Sequence, residues 1–116
     1  MNEPGPVPQA GDLIWLDLDP RTGREQSGRR PALVVSPAPF WEATRFLIVC
    51  PITNRVRPFP TSVVLPDGLA IAGEILTSHV RSIDTLARPF ELAGISITPA
   101  LLAEVRGKLA ALTGIG

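Results

Sequence analysis

Short apolar runs, several of them closed by proline, occupy this chain up to about residue 96, and such punctuation admits short strands rather than long helices. The first runs from Gly11 to Leu18. Ile14, Leu16 and Leu18 fall on one face of it and Leu13, Trp15 and Asp17 on the other, so the strand is expected to be covered on both sides. Asp19-Pro20 ends it. A second strand is expected over Pro31–Ser36, closed by Pro37 and Pro39, and a third over Phe46–Ile52, the most apolar run of all. Thr61–Leu65 leads into a Pro66-Asp67-Gly68 turn. Glu74–Thr77 and roughly Phe90–Ser96 read as further strands, with a helical turn around Ser82–Leu86 between them. After that the period lengthens. Thr98-Pro99 is an N-cap followed by proline at the first helical position, Leu101, Val105, Leu109 and Leu112 recur at helical spacing, and Gly114 is a stop. The class expected is mainly β with α: a small antiparallel barrel or curled sheet carrying one C-terminal amphipathic helix.

At 116 residues, 45% of them hydrophobic, the chain is one folded domain, read here as residues 11–116 behind a flexible Pro- and Gly-rich tail at 1–10. Its single cysteine, Cys50, has no internal disulfide partner and sits in the run Phe46–Cys50, where a buried and inert thiol is expected. His79 is the only histidine, and no Cys/His cluster offers a metal site, so neither metal nor cofactor is expected. The first ten residues lack the basic start and apolar run of a signal peptide, and no stretch approaches the ~18 apolar residues of a membrane span. A soluble, cytoplasmic protein is the expectation.

Charge is what the chain distributes unevenly. Basic and acidic residues balance at eleven each, yet residues 21–57 hold seven arginines against two carboxylates, Glu25 and Glu42. Ten of the eleven basic residues are arginine, whose planar fork matches phosphate oxygens and does not lose its proton. Two loops carry the excess. Arg21–Arg30 is polar and too long for a tight turn, and Thr53–Pro60 contains Arg55 and Arg57. They follow the first and third strands, which allows both to open onto one end of the fold. Between them they supply a carboxylate, a hydroxyl, side-chain amides and several guanidiniums. That set suits attack of a ribose 2′-OH on the adjacent phosphate of RNA. Such a reaction needs a proton acceptor, positive charge on the developing phosphorane and a proton for the leaving 5′ oxygen. The same residues also admit a plainer reading, in which Glu25 pairs with Arg24 or Arg29 on a solvated loop and Thr53 closes a turn.

The wording of the segments goes further. Gly11-Asp12-Leu13-Ile14-Trp15, then Asp19-Pro20, then Gly23-Arg24-Glu25-Gln26-Ser27-Gly28-Arg29-Arg30-Pro31 leading into an apolar strand, resembles the MazF/PemK/Kid family of type II toxin–antitoxin toxins, its MazF branch above all. Pro51-Ile52-Thr53, Val63-Val64-Leu65 and Val80-Arg81-Ser82-Ile83-Asp84 extend the likeness over about residues 11–113. The resemblance implies an SH3-like barrel that acts as a homodimer and cuts single-stranded RNA sequence-selectively without metal, leaving 2′,3′-cyclic phosphate and 5′-hydroxyl ends. It also implies a MazE-like antitoxin whose acidic, flexible tail covers the RNA groove. The family's catalytic arginine falls on Arg30, its threonine on Thr53 and its loop glutamate on Glu25. Contacts to RNA are then expected from Arg24, Gln26, Arg29, Asn54, Arg55, Arg57, His79 and Arg81.

Two departures from the family pattern matter. Arg29 stands where relatives often carry His or Thr, adding a charge beside Arg30. The Arg-x-Asp pair of the Kid branch would fall on Leu76 and Ser78, so that branch's acid–base scheme does not transfer. Two other functions stay open. A gyrase-binding toxin such as CcdB shares the fold, but it acts through a Trp-Gly-Ile ending, whereas this chain ends Leu112-Thr113-Gly114-Ile115-Gly116. A non-catalytic RNA-binding barrel is the other.

Overall fold

Phe46–Thr53 (β3) is the longest strand, and the fold is organised by how it pairs along both edges. A computed structural model describes residues 6–17 and 29–115. Along one edge β3 meets β2 (Arg30–Val34), with Ala32 opposite Pro51 and Val34 opposite Val49. Its other edge is shared between two strands. The first half, Phe46–Val49, pairs with β6 (Arg81–Asp84), and the last two residues, Ile52 and Thr53, pair with β5 (Glu74–Ile75). β4 (Val63–Val64) adds to β5, while β1 (Asp12–Leu16) joins β2 to β7 (Phe90–Ser96). The order β4-β5-β3-β2-β1-β7, antiparallel throughout the described residues, is a curled sheet of the small-barrel kind expected.

Curling gives the sheet two apolar faces, and alternation along the central strands fills both. Leu13, Leu33, Cys50, Ile52 and Ile75 point to one cluster, closed by the C-terminal helix α2 (Pro99–Thr113) through Val105. Ile14, Leu16, Ala32, Val34, Leu47 and Val49 point to the other, against which Trp41 and Phe90 pack, edge to face with each other. The double coverage of β1 follows from its unbroken apolar sequence. Burying each such leucine or isoleucine contributes about 1.5–3 kcal/mol. Cys50 lies in the first cluster, and burial pushes its thiol up to about 12. The native protein should therefore leave Cys50 unmodified by a neutral-pH thiol reagent until denaturant is added, and prompt reaction of the folded chain would contradict this packing.

Several expectations are corrected. Residues 81–84 form β6 rather than a helical turn, because the first half of β3 needs a partner and Ile83 is drawn into the second cluster. The turn comes after it, where Asp84 O accepts the N–H groups of Ala87 and Arg88. Pro37 and Pro39 follow the end of β2, as read, and also open an unforeseen short helix, α1 (Ala38–Thr44), in whose first turn a missing N–H costs nothing. Arg45 ends α1 in the left-handed region and lays its guanidinium 4.2 Å from the Trp41 ring centroid. In α2 the Thr98 hydroxyl accepts the Leu101 N–H as expected, but Leu112 is 44% exposed and leaves the core stripe to Leu101, Leu102, Val105 and Leu109. Before β1, Pro8 is buried and Gln9 makes reciprocal hydrogen bonds with Asp12. Among the described residues no helix is long and apolar enough to cross a membrane.

Candidate functional site

Three strand ends meet at one rim of the sheet. β1 and β2 are in register with Leu16 opposite Arg30 and Trp15 opposite Pro31, so Arg30, the first residue of β2, lies directly beside the end of β1. The β2–β3 pairing ends with Ala32 opposite Pro51, and Arg30 and Thr53 each lie two residues further toward this rim. By strand alternation Arg30 shares a face with Ala32 and Val34, and Thr53 with Val49, which is the second-cluster face, while Pro31 and Ile52 take the opposite one. Two residues separated by more than twenty positions in sequence thus both lie at this rim.

A cleft of about 280 Å³ opens there, lined by Trp15, Arg29, Arg30, Pro31, Ile52 and Asn54, with Ala70–Ala72 forming a wall. Its floor is apolar and its mouth cationic. Among the described residues no carboxylate pairs with Arg30, whereas Arg29 donates to Glu91 Oε1 at 2.9 Å and to the Trp15 carbonyl at 3.3 Å. That ion pair is open to water, with side chains 46% and 67% exposed, so it holds Arg29 only weakly and an incoming anion can compete for it.

The β3 end is fixed by hydrogen bonds that turn the chain away from the sheet. Thr53 Oγ1 accepts the Arg55 N–H at 3.1 Å. Arg55, Val56, Arg57 and Phe59 follow on an exposed loop. Beneath it Glu74 is buried, and its Oε1 accepts the Arg57 N–H at 2.7 Å while its other oxygen accepts the Ser62 hydroxyl. The Ser62 hydroxyl first, then the Arg57 N–H, with a lesser contribution from that of Phe59, hold this carboxyl below its ordinary range against the opposing effect of burial.

Of the residues singled out in the sequence, Arg29, Arg30 and Asn54 line the cleft, and Thr53 does not, although it lies in the chain between the lining residues Ile52 and Asn54. Arg55 and Arg57 lie on the loop that continues from it. His79 ends a 3-10 turn at Thr77–His79, and Arg81 lines a separate hollow with Phe46 and Asp84. Arg24, Glu25 and Gln26 lie outside the described residues. Sequence reasoning missed Trp15 as a cleft wall, Phe59 as an exposed aromatic on a cationic loop, and Glu74. The signal for Glu74 was a lone carboxylate inside the apolar strand Glu74-Ile75-Leu76, where alternation alone does not predict one.

Residues 9–113 match the family described as PemK-like, MazF-like toxin of type II toxin-antitoxin system, and the chain belongs to that family. It is 38% identical to the endoribonuclease toxin MazF of Escherichia coli over 108 residues, covering 93% of this chain and 96% of that protein. Among solved structures it resembles MazF of Deinococcus radiodurans, with a TM-score of 0.83 and 44% identity, over 95% of this chain and 99% of the other. A MazE–MazF structure from the same organism also aligns with a TM-score of 0.83, at 40% identity and covering 96% and 99% of the two chains.

Proposed function

We propose that this protein is an endoribonuclease toxin that cuts single-stranded RNA within the cleft at the Arg30–Thr53 rim. The observation that carries this reading is a cleft lined by Arg29, Arg30 and Asn54 where the ends of β1, β2 and β3 meet, on a chain that belongs to a toxin family with endoribonuclease members. In the reaction the 2′ oxygen bonds to phosphorus as the P–O5′ bond breaks. The 2′ proton leaves to a base, and the 5′ oxygen takes up a proton as it departs. Arg30 stabilises the dianionic phosphorane, Thr53 hydrogen-bonds a non-bridging oxygen, and Glu25 orients or deprotonates the 2′-OH. The products are a 2′,3′-cyclic phosphate and a 5′-hydroxyl, and no metal takes part.

Arg29, Asn54, Arg55 and Arg57, with Arg24, Gln26, His79 and Arg81 further out, contact the RNA. A homodimer of the 11–116 domain, working in the cytoplasm, is the functional unit. A MazE-like antitoxin silences it by laying acidic residues over the same cationic mouth, a pairing supported by the solved MazE–MazF relative. Arg55→Ala and Arg57→Ala should each weaken RNA binding at low salt and reduce the slope of log K against log salt by about 0.7. Unchanged slopes would remove this loop from the RNA path.

The test of the reading is digestion of a long, weakly structured RNA by the purified protein in EDTA, with every new end mapped and its chemistry identified. Cuts at one short sequence, bearing cyclic phosphate and 5′-hydroxyl, support it. A folded sample that leaves RNAs covering all short sequences intact refutes it.

A further inference from the structure

Burying a carboxylate is costly unless each oxygen finds donors, and at a sheet position between apolar neighbours a leucine or valine would pack with no such cost. Glu74 is nonetheless 1% exposed. Its donors come not from the sheet but from the loop after β3: the Arg57 N–H on one oxygen and the Ser62 hydroxyl on the other. Ser62 extends the arrangement, its Oγ accepting the Phe59 N–H at 3.2 Å. Two more side chains grip the loop from below. Lys108, the only lysine of the chain, donates from α2 to the carbonyls of Pro60 at 2.7 Å and Ser62 at 3.2 Å, and the Thr77 hydroxyl donates to the Thr61 carbonyl. Among the described residues no buried side-chain polar atom is left without a partner. Glu74 is also the β5 residue opposite Thr53, so one side chain links the loop to the strand end that borders the cleft.

What the loop displays gives this arrangement a use. Arg55 and Arg57 are exposed, and between and beyond them Val56 and Phe59 hold apolar side chains in water, Phe59 at 65% exposure. Cations alternating with an aromatic and an aliphatic surface match the phosphates and bases of a single strand. A loop that wandered would lose that match to conformational entropy on every binding event.

We propose that Glu74 is a positioning residue for RNA recognition: through Arg57 N–H and Ser62 it holds residues 54–62 in the shape that meets the RNA, without touching RNA itself. The proposal rests on the nuclease reading for its ligand, but its structural half is independent of it.

The experiment compares the full-length chain with Glu74→Ala, Glu74→Gln and Ser62→Ala by three readouts. These are amide hydrogen exchange, binding of a fluorescein-labelled single-stranded oligoribonucleotide, and the kcat and KM for its cleavage. Glu74→Ala should speed exchange at 55–62 while leaving β2 protected, weaken RNA binding and raise KM about tenfold, and change kcat by less than about threefold. Ser62→Ala should do the same more mildly. Glu74→Gln still accepts the Arg57 N–H through its carbonyl and should recover part of the affinity. Faster loop exchange with unaltered RNA affinity overturns the proposal, as does a fall in kcat at constant KM. Should Glu74→Ala fail to fold, the Ser62→Ala and Glu74→Gln pair decides by the same readouts. A wild-type chain that binds the oligonucleotide without cutting it refutes the nuclease and leaves the affinities to decide on Glu74. One that neither binds nor cuts overturns both.

Discussion

Replacing Arg30 by alanine should lower RNA cleavage about 100- to 1000-fold while leaving the melting curve almost unchanged. The activity loss follows from what the guanidinium would do: a preorganised donor facing developing negative charge is worth about that factor when removed. The stability expectation comes from its position. Arg30 is the exposed first residue of β2, and its backbone pairing with Leu16 does not depend on the side chain. Exposed substitutions of this kind stay within about 0.5 kcal/mol. Arg30→Lys keeps the charge but loses the two-pronged geometry, so it should recover only part of the rate. Cleavage by Arg30→Ala within about threefold of wild type would remove this residue from the chemistry.

The second large effect is expected at Gly73, where stability rather than chemistry fails. Its φ is +146°, a region that side-chain-bearing residues rarely enter. A Cβ built there would sit 2.4 Å from the Thr53 carbonyl oxygen and 2.9 Å from Ile52 Cγ2. The first of these is backbone and has no rotamer to retreat into. Strain and overpacking together should cost Gly73→Ala about 2–5 kcal/mol, read as a shift of the denaturant midpoint. The relief most open to the chain is to push β5 away from β3, which moves Thr53. Activity should therefore drop even under conditions where the variant remains folded. An unshifted midpoint would mean that this hairpin adjusts at no cost.

Local pattern carried most of the fold. Alternation placed Leu13 and Ile14 on opposite cores, and the Thr98-Pro99 pair started α2 where the helix does start. β7 runs over Phe90–Ser96, as its sequence implied. The errors arose where distant partners decided. Arg81–Asp84 is a strand because half of β3 was unpaired, a demand invisible in those four residues. Pro37 and Pro39 closed β2 as read, but the helix they also open, whose Trp41 packs on Phe90 forty-nine positions away, was not visible locally. For the cleft, Arg29, Arg30 and Asn54 had been singled out from loop chemistry and family wording, and all three line it. That Arg29 is tied to Glu91, sixty-two positions away, was not legible. Neither was the role of Glu74, whose partners Arg57 and Ser62 lie on the far side of a hairpin.

The way β3 serves both edges has a genetic corollary. Its interior residues Leu47, Val49 and Cys50 build the two cores, while its last residue borders the cleft. Within β3, therefore, the strand end at the rim and the scaffold belong to one continuous segment. If cells were selected for escape from this toxin, inactivating changes would scatter through β2 and β3 as readily as they would strike the cleft. A map of such escape mutations would trace the strands, and the few that leave abundance intact would mark out the chemistry.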